Sequence, residues 1–271
     1  MMHSALLSLA FDAAPEGGAA GQLLARSLTT YQDFCAASSL YVNVFGYESP
    51  EFSLNPNLLG ALVQNGGSAV GVFAPDGALV GFAYGFPGKG PDGREFHYSQ
   101  AATVDPNYQG RGIGRTLKFL QAEVARSWGH RTMRWTFDPL LARNAHFNFD
   151  ALGATGIGYL PDYYGRSDTG RVLVEWSLEG EAPQPRPELT APRFDVADWG
   201  TALAERDELW IATPAVPPAD TDERRAVRSA VGRVLSEAIL SGHSLVACKR
   251  INDETAAYLA LSSTERSKDD S

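Results

Sequence analysis

The sequence predicts a mixed α/β fold built on a mostly antiparallel sheet, and three observations carry that expectation. Two apolar runs, Ala69–Phe73 and Leu79–Tyr84, flank the turn Pro75-Asp76-Gly77, which is the pattern of a β-hairpin. A further strand-like run, Phe96–Val104, leads through the glycine-rich stretch Gln109–Gly114 into a helical pattern. There Ile113, Leu117, Leu120, Val124 and Trp128 recur at spacings of three or four. Beyond it, Met133, Trp135 and Phe137 alternate with Thr132, Arg134 and Thr136, the period of a strand. Helices, hairpin and central strand in this order belong to a two-layered α/β architecture.

Taken from the N-terminus, Leu6–Phe11 reads as a first strand and Ala13–Gly21 as a small-residue loop. Leu23–Phe45 has mixed helical spacing, and Leu58–Val63 a second helix ended by Asn65-Gly66-Gly67. Phe86–Gly93, rich in Gly and Pro, is expected to be a loop. The long helix after the glycine stretch keeps Arg115, Lys118, Gln121 and Arg126 off its apolar face and stops at Gly129. Asp138-Pro139 breaks the following strand, Arg143–Phe149 is a short helix, and Ala154–Tyr159 and Arg171–Leu178 are strands. Four prolines interleaved with charge make Gly180–Pro192 a linker. After it come a strand at Leu209–Ile211, a helix over Asp222–Leu240 capped by Thr221, and strands at Leu245–Cys248 and Ala257–Leu261. The charged tail Thr264–Ser271 is expected to be disordered. Two domains follow, residues 1–180 and a small α+β extension over 181–271. The extension is expected to stabilise the core or an assembly, a homodimer being the one considered, and to supply no chemistry.

Composition narrows the function. With 44% hydrophobic and 20% charged residues the chain reads as a globular protein, with no apolar run near the roughly 20 residues a bilayer span needs. The N-terminus lacks the layout of a signal peptide, and Cys35 and Cys248 sit at no metal or redox spacing, so reduced thiols in the cytoplasm are expected. A net charge of −9 opposes nucleic-acid binding and suits a small cationic or zwitterionic partner. The five histidines are scattered, so no metal site is expected, and no Gly-x-Ser-x-Gly elbow is present.

The glycine stretch Tyr108-Gln109-Gly110-Arg111-Gly112-Ile113-Gly114-Arg115 carries the chemistry. Glycines let backbone amides converge at a helix N-terminus, where the helix dipole adds positive potential, and such a place holds phosphate. A dinucleotide fingerprint starting at Gly110 would need glycine where Arg115 stands, and a P-loop would need Ser or Thr after Gly88-Lys89, where Gly90 stands. From the residues alone a plain strand-to-helix turn and a phosphate cradle both remain open.

The word Gln109-x-x-Gly112-x-Gly114 resembles the pyrophosphate-binding signature of the GNAT N-acetyltransferases. So do its flanks, and Trp135-Thr136-Phe137-Asp138-Pro139-Leu140, Arg143-Asn144-Ala145 and Leu152-Gly153-Ala154 are similar to one subfamily of predicted acetyltransferases. Tyr163-Tyr164-Gly165, Val172–Trp176 and the helix Val227–Ala238 with Ser241-Gly242-His243 fit the same subfamily. The resemblance is strongest from Val104 to Trp176. It implies a sheet whose central strands splay apart around Ala102 and Thr136. Acyl-CoA would lie in that cleft, its pantetheine arm on the main chain of Ala102, Thr103 and Val104. Gln109, Gly110, Arg111, Gly112, Ile113, Gly114 and Arg115 would hold the pyrophosphate, and Asn144 would contact the cofactor, with a helix cap as its plainer role.

The implied reaction moves an acetyl or succinyl group from acetyl-CoA or succinyl-CoA to a small amine, an amino acid being the expected acceptor, with no metal. A cationic amine as acceptor, or an acyl-CoA-binding module without turnover, are the alternatives. Many members place a tyrosine acid four residues before the glycine that follows the cofactor-contacting helix; here Phe149 stands there, before Gly153. Tyr159, Tyr163 and Tyr164 are the substitutes near in sequence, and Tyr164 is taken forward. For the base, Glu95, His97 and Tyr98 precede the loop, and His97 has the suitable intrinsic pKa of about 6.5, although a half-exposed strand histidine is an equal reading. Trp135 and Phe137 read as core. Arg134 and Arg143, ordinarily solvated, are the residues that can grip a substrate carboxylate.

Overall fold

The computed structural model describes residues 8–12, 22–179, 190–205 and 207–262. The expected loop Ala13–Gly21, the tail Thr264–Ser271 and most of the linker Gly180–Pro192 lie outside them. The chain divides into two compact units, Met1–Arg134 with Ser177–Glu179, and Trp135–Trp176 with Gly180–Ser271.

In the first unit β1 (Ser8–Asp12), β2 (Gln22–Ser27), β3 (Ser68–Phe73), β4 (Leu79–Lys89) and β5 (Glu95–Val104) pair in sequence order, each antiparallel to the next. β6 (Thr132–Phe137), whose residues from Trp135 onward belong to the second unit, runs parallel to β5, registering Met133 with His97 and Arg134 with Tyr98. Residues of β3 and β4 divide between two cores. Phe73, Phe82 and Tyr84 pack with Phe34 and Leu59 of helices α1 (Tyr31–Phe45) and α2 (Pro56–Gln64). Val70, Val72 and Ala83 pack with Ile113, Leu117, Leu120 and Val124 of α3 (Ile113–Ser127). The apolar face read from the sequence is therefore the buried one.

Two expectations are corrected here. Leu23–Phe45 is not one helical run, because Leu23, Ala25 and Ser27 are buried at the two-residue period of β2. Helix α1 begins only after Thr30, whose hydroxyl accepts from the Asp33 amide while the Asp33 carboxylate accepts from the Thr30 amide. Arg26 donates to both Asp33 oxygens, at 2.9 and 2.7 Å, and holds that carboxyl well below the usual range. The stretch Phe86–Gly93 is not all loop either. Strand β4 continues to Lys89, with Pro87 opposite His97.

The second unit contains α4 (Ala142–His146), which passes into a π-helical turn at Phe147–Ala151. It also contains β7 (Thr155–Leu160), β8 (Arg171–Ser177), β9 (Ala202–Glu205), β10 (Glu208–Pro214), α5 (Thr221–Leu240), β11 (His243–Arg250) and β12 (Thr255–Ser262). The strands lie in the order β8-β7-β11-β12-β10-β9 with antiparallel neighbours. Phe194, Trp210, Val246 and Leu259 form a core there, and α5 buries Val231, Val234, Leu235 and Ala238. Its cap is Asp220, not Thr221: the Asp220 carboxylate accepts from the amides of Asp222 and Glu223 at 3.0 and 2.8 Å. Gly232, in the middle of α5, and Gly170 both face the Tyr159 hydroxyl, which would stand 2.1 Å from a Cβ at either position.

Arg228 of α5 donates to both oxygens of Asp138 at 2.7 and 2.8 Å, and both side chains are mostly buried. Asp138→Asn leaves this guanidinium without its counter-charge, so the variant is expected to lose about 2–3 kcal/mol of stability, read by urea unfolding of the full chain. An unchanged unfolding midpoint would show that the pair contributes nothing net.

Candidate active site

Strand β5 is paired on both sides only as far as Tyr98. From Ser99 to Val104 it keeps its bonds to β4, while among the described residues no register partner stands on its other side. Ala102 is exposed, and Thr103 is buried with a hydroxyl that finds no partner. After Val104 the Asp105 carboxylate accepts from the Asn107 amide at 2.8 Å and starts a single 3-10 turn, Pro106–Tyr108. The chain then passes through Gly110 and Gly112, both left-handed at φ 78° and 76°. Such angles cost any side-chain-bearing residue about 1–2 kcal/mol, which is why glycine stands there.

Gly112 is also the N-cap of α3, and no side chain caps the helix. The first-turn amides of Ile113, Gly114 and Arg115 have no carbonyl partner within the helix and face the positive end of its dipole. Around them Arg111 donates to the Asn107 carbonyl at 3.2 Å and lies over the Tyr108 ring, and Arg115 lies over Phe119. Gln109 reaches the Val104 carbonyl only at 3.4 Å. Gly110 and Gly112 have nothing within 4 Å of where a Cβ would stand, so the cradle is open. Amides, dipole and two guanidinium groups together can take a phosphate.

Behind the cradle the sequence reading of α3 is corrected. Lys118 and Gln121 are not on a solvated face; they are 5% and 0% exposed. Lys118 Nζ donates to Ser99 Oγ at 2.8 Å, Ser99 donates to Gln121 Oε1 at 2.8 Å, and Gln121 Nε2 donates to Ser68 Oγ at 3.1 Å. Ser68 Oγ is 2.8 Å from His97 Nε2. Five buried polar side chains from α3, β3 and β5 thus form one hydrogen-bonded line. No signal for it exists in the sequence beyond Lys118 and Gln121 standing one turn apart.

His97 itself is fully buried, its Nδ1 has no partner, and its ring lies 5.8 Å from that of His130. Burial first, then the neighbouring His130 and Lys118, push its pKa down to about 3. Arg134 stacks 4.4 Å above Phe96 at the other end of β5 and sits near Asp92.

In the second unit Asn144 is exposed on α4 and Arg143 lines a cavity. Tyr164 is half exposed in the turn between β7 and β8, edge-on to Tyr163 and under Arg171. Phe149 is core, its ring meeting Phe137 and Tyr258 edge-to-face, so no hydroxyl stands at that position. Trp135 and Phe137 are core as expected.

Residues 28–149 match the Acetyltransferase (GNAT) family. The chain carries a GNAT acetyltransferase domain. No curated protein matches the chain. Among solved structures it is similar to yncA of Salmonella typhimurium, named as an acetyltransferase and solved with acetyl-CoA, at 19% identity and TM-score 0.47, over 60% of this chain and 97% of that one. The ribosomal-protein-S18-alanine N-acetyltransferase of Escherichia coli is similar at 17% identity and TM-score 0.44, over 59% and 96%. Nourseothricin acetyltransferase follows at 20% and 0.38, over 43% and 68%. Among the described residues no helix is long and apolar enough to cross a membrane, and no group of three His, Cys, Asp or Glu comes together as a metal set. Cys35 and Cys248 are free thiols.

Two outcomes are expected of this arrangement. Gly112→Asp puts an anion at the mouth of the cradle and strains the left-handed turn, so CoA affinity should fall by at least ~100-fold in a protein that remains folded. Calorimetry with CoA reads the loss, and unchanged affinity would remove the cradle. The second concerns Lys118, whose ammonium burial pushes down to about 7 from 10.5. Between those values the unfolded chain holds a proton that the native state lacks, so this group makes stability climb as pH rises through that window, with its burial cost fully present below it. Melting curves of wild type and Lys118→Met at a series of pH values should therefore diverge in slope between pH 7 and 10, the variant being the flatter. Parallel curves would mean that Lys118 is not a buried titrating amine.

Proposed function

We propose that the protein transfers an acetyl or succinyl group from acyl-CoA to the amine of a small acceptor that also bears a carboxylate, an amino acid by preference. The observation that carries the reading is the uncapped N-terminus of α3, with its two left-handed glycines, directly after a strand that from Ser99 onward has, among the described residues, a register partner only in β4. The amides of Ile113 and Gly114, with Arg111 and Arg115, would take the pyrophosphate. The main chain of Ala102, Thr103 and Val104 would take the pantetheine arm as an added strand. Asn144 is proposed as a further contact to the cofactor.

Acyl-CoA supplies an activated thioester, so the protein's task is to place a neutral amine, to stabilise negative charge on the carbonyl oxygen and to move protons. Backbone amides serve the oxyanion without a metal. An ammonium acceptor loses two protons in becoming an amide; one returns to the leaving thiol and one must leave the site. Thiol and amine pKa values lie within about two units of each other, so neither transfer needs a strong acid or base. Tyr164, exposed in its turn, is the proposed acid. His97, the base expected from the sequence, is fully buried with its pKa pushed down to about 3 and is bonded to the equally buried Ser68, so an ordered water at the amine is the proposed proton acceptor in its place. The core position of Phe149 favours the second reading, a CoA-binding module without turnover.

Mass-spectrometric screening of amino acids and polyamines against acetyl-CoA and succinyl-CoA decides between them. Free CoA released with any amine establishes turnover. Amino acids are expected to react at least ~100-fold faster in kcat/KM than their decarboxylated amines, because a guanidinium left facing an empty carboxylate site is uncompensated. Alanine at Arg143 or Arg134 should erase most of that ratio. Polyamines outrunning every amino acid would replace this reading with acetyl transfer to a cationic amine, which the charge of −9 suits.

A further inference from the structure

The second unit holds a cavity of about 310 Å³, at the lower end of the range for small-molecule sites. Arg143 and His146 of α4 and Lys249 and Arg250 of β11 surround it, over a floor that includes Ala142 and Ala256. Four basic side chains seldom gather about one hollow without a reason, and the order beneath them is specific. The Asp150 carboxylate accepts from the Cys248 amide and from Lys249 Nζ, each at 3.1 Å, and one of its oxygens lies 3.1 Å from His146 Nδ1. His146 Nδ1 also faces the Cys248 carbonyl at 3.3 Å, so that nitrogen carries a proton and Nε2 is left for a ligand. Asp150 sits in the π-helical turn after α4, a geometry frequent at functional sites.

The charges do not balance. Lys249 has Asp150, and Arg250 has Asp253 at 3.0 Å together with the Asn252 and Asp253 carbonyls. The Arg143 side chain has neither a hydrogen bond nor an ion pair among the described residues. Among the described residues three permanent cations thus meet two carboxylates, and the exposed Arg143 guanidinium is the one with no carboxylate beside it. One missing charge beside a planar fork fits a carboxylate; a phosphate dianion would ask for more.

We propose that this cavity binds the carboxylate of a small organic anion, with Arg143 as its bidentate partner, His146 and Lys249 beside it, and the alanine floor against a short apolar body. Strand β11 thereby gives the C-terminal extension a part in ligand binding, in contrast to the purely stabilising role expected from the sequence. The inference deepens the acceptor reading and rests on it only for the identity of the molecule that carries the carboxylate.

The test needs no CoA. Butyrate and its neutral counterpart butyramide are titrated into the isotope-labelled full chain, with the His146 ring and Arg143 guanidinium followed by NMR, and inorganic phosphate as a third probe. Butyrate should shift both signals saturably at millimolar concentration, butyramide should not, and phosphate should bind more weakly. Arg143→Met should weaken butyrate at least ~10-fold and Arg143→Lys should restore little, since an ammonium cannot replace the fork. Each variant is first shown to melt like the wild type. Equal responses to butyrate and butyramide, phosphate binding as tightly as butyrate, or wild-type affinity in Arg143→Met would each overturn the proposal. Repeating the titration in Gly112→Asp separates it from the CoA reading, because butyrate binding should persist there. Amino acids that displace butyrate are then offered with acetyl-CoA. Acetylation makes the cavity the acceptor site, while displacement without acetylation keeps the cavity and sinks the acceptor reading.

Discussion

The buried line from Lys118 through Ser99, Gln121 and Ser68 to His97 is the constraint on which the cradle depends. Apolar contacts along α3 are non-directional, and by themselves would let the helix slide or rotate by a fraction of a turn. Hydrogen bonds of 2.8–3.1 Å to β5 and β3 do not permit that without orphaning buried groups, each at a cost of about 1–3 kcal/mol. The helix is thereby registered on the sheet, and with it the amides at its N-terminus. Lys118 lies six residues after Gly112, so the fixed point is less than two turns from the glycine that caps the helix. The anion-holding role proposed for that end of the helix needs it still, and here the burial of an amine keeps it so.

The second unit is held by a different device. Side chains and carbonyls of the segment from Asp138 to Asp150 are taken up by elements far along the chain: Arg228 grips Asp138, Tyr258 donates to the Pro139 carbonyl at 2.6 Å, and the Cys248 amide and Lys249 end on Asp150. With Phe149 packed edge-on to Tyr258, these contacts explain why Trp135–Trp176 is compact with the C-terminal residues. The aromatic ring at position 149 contributes packing in a place where a hydroxyl would need a partner.

Much of this was legible in the residues. Glycine spacing located the left-handed turn before α3 because such backbone has so few other tenants, and the three-four periodicity of Ile113 to Val124 found the face of α3 because most of what is buried there is apolar. Strand β2 was obscured by its junction with α1, although Thr30-x-x-Asp33 marks where the helix starts. Strand β9, Ala202–Glu205, is exposed at every residue and gives no alternation to read. Lys118 and Gln121 could not be recognised as buried, since periodicity counts apolar residues and their partners lie 19 to 53 positions away. The same holds for Asp150, whose role depends on β11 about a hundred residues later.

Tyr159 carries a consequence for how this chain can change over time. Its ring occupies the space that side chains at Gly170 and Gly232 would need, and a glycine inside α5 already sacrifices roughly 1 kcal/mol of helix propensity to admit it. The three positions are therefore not independent, and the dependence has a direction. A smaller residue at 159 is sterically free at any time, whereas alanine at 170 or 232 is admissible only afterwards. Once either glycine has gained a side chain, the route back to tyrosine is closed. Lineages descended from this sequence should show that order of substitution, a historical ratchet set by the outer end of one tyrosine ring.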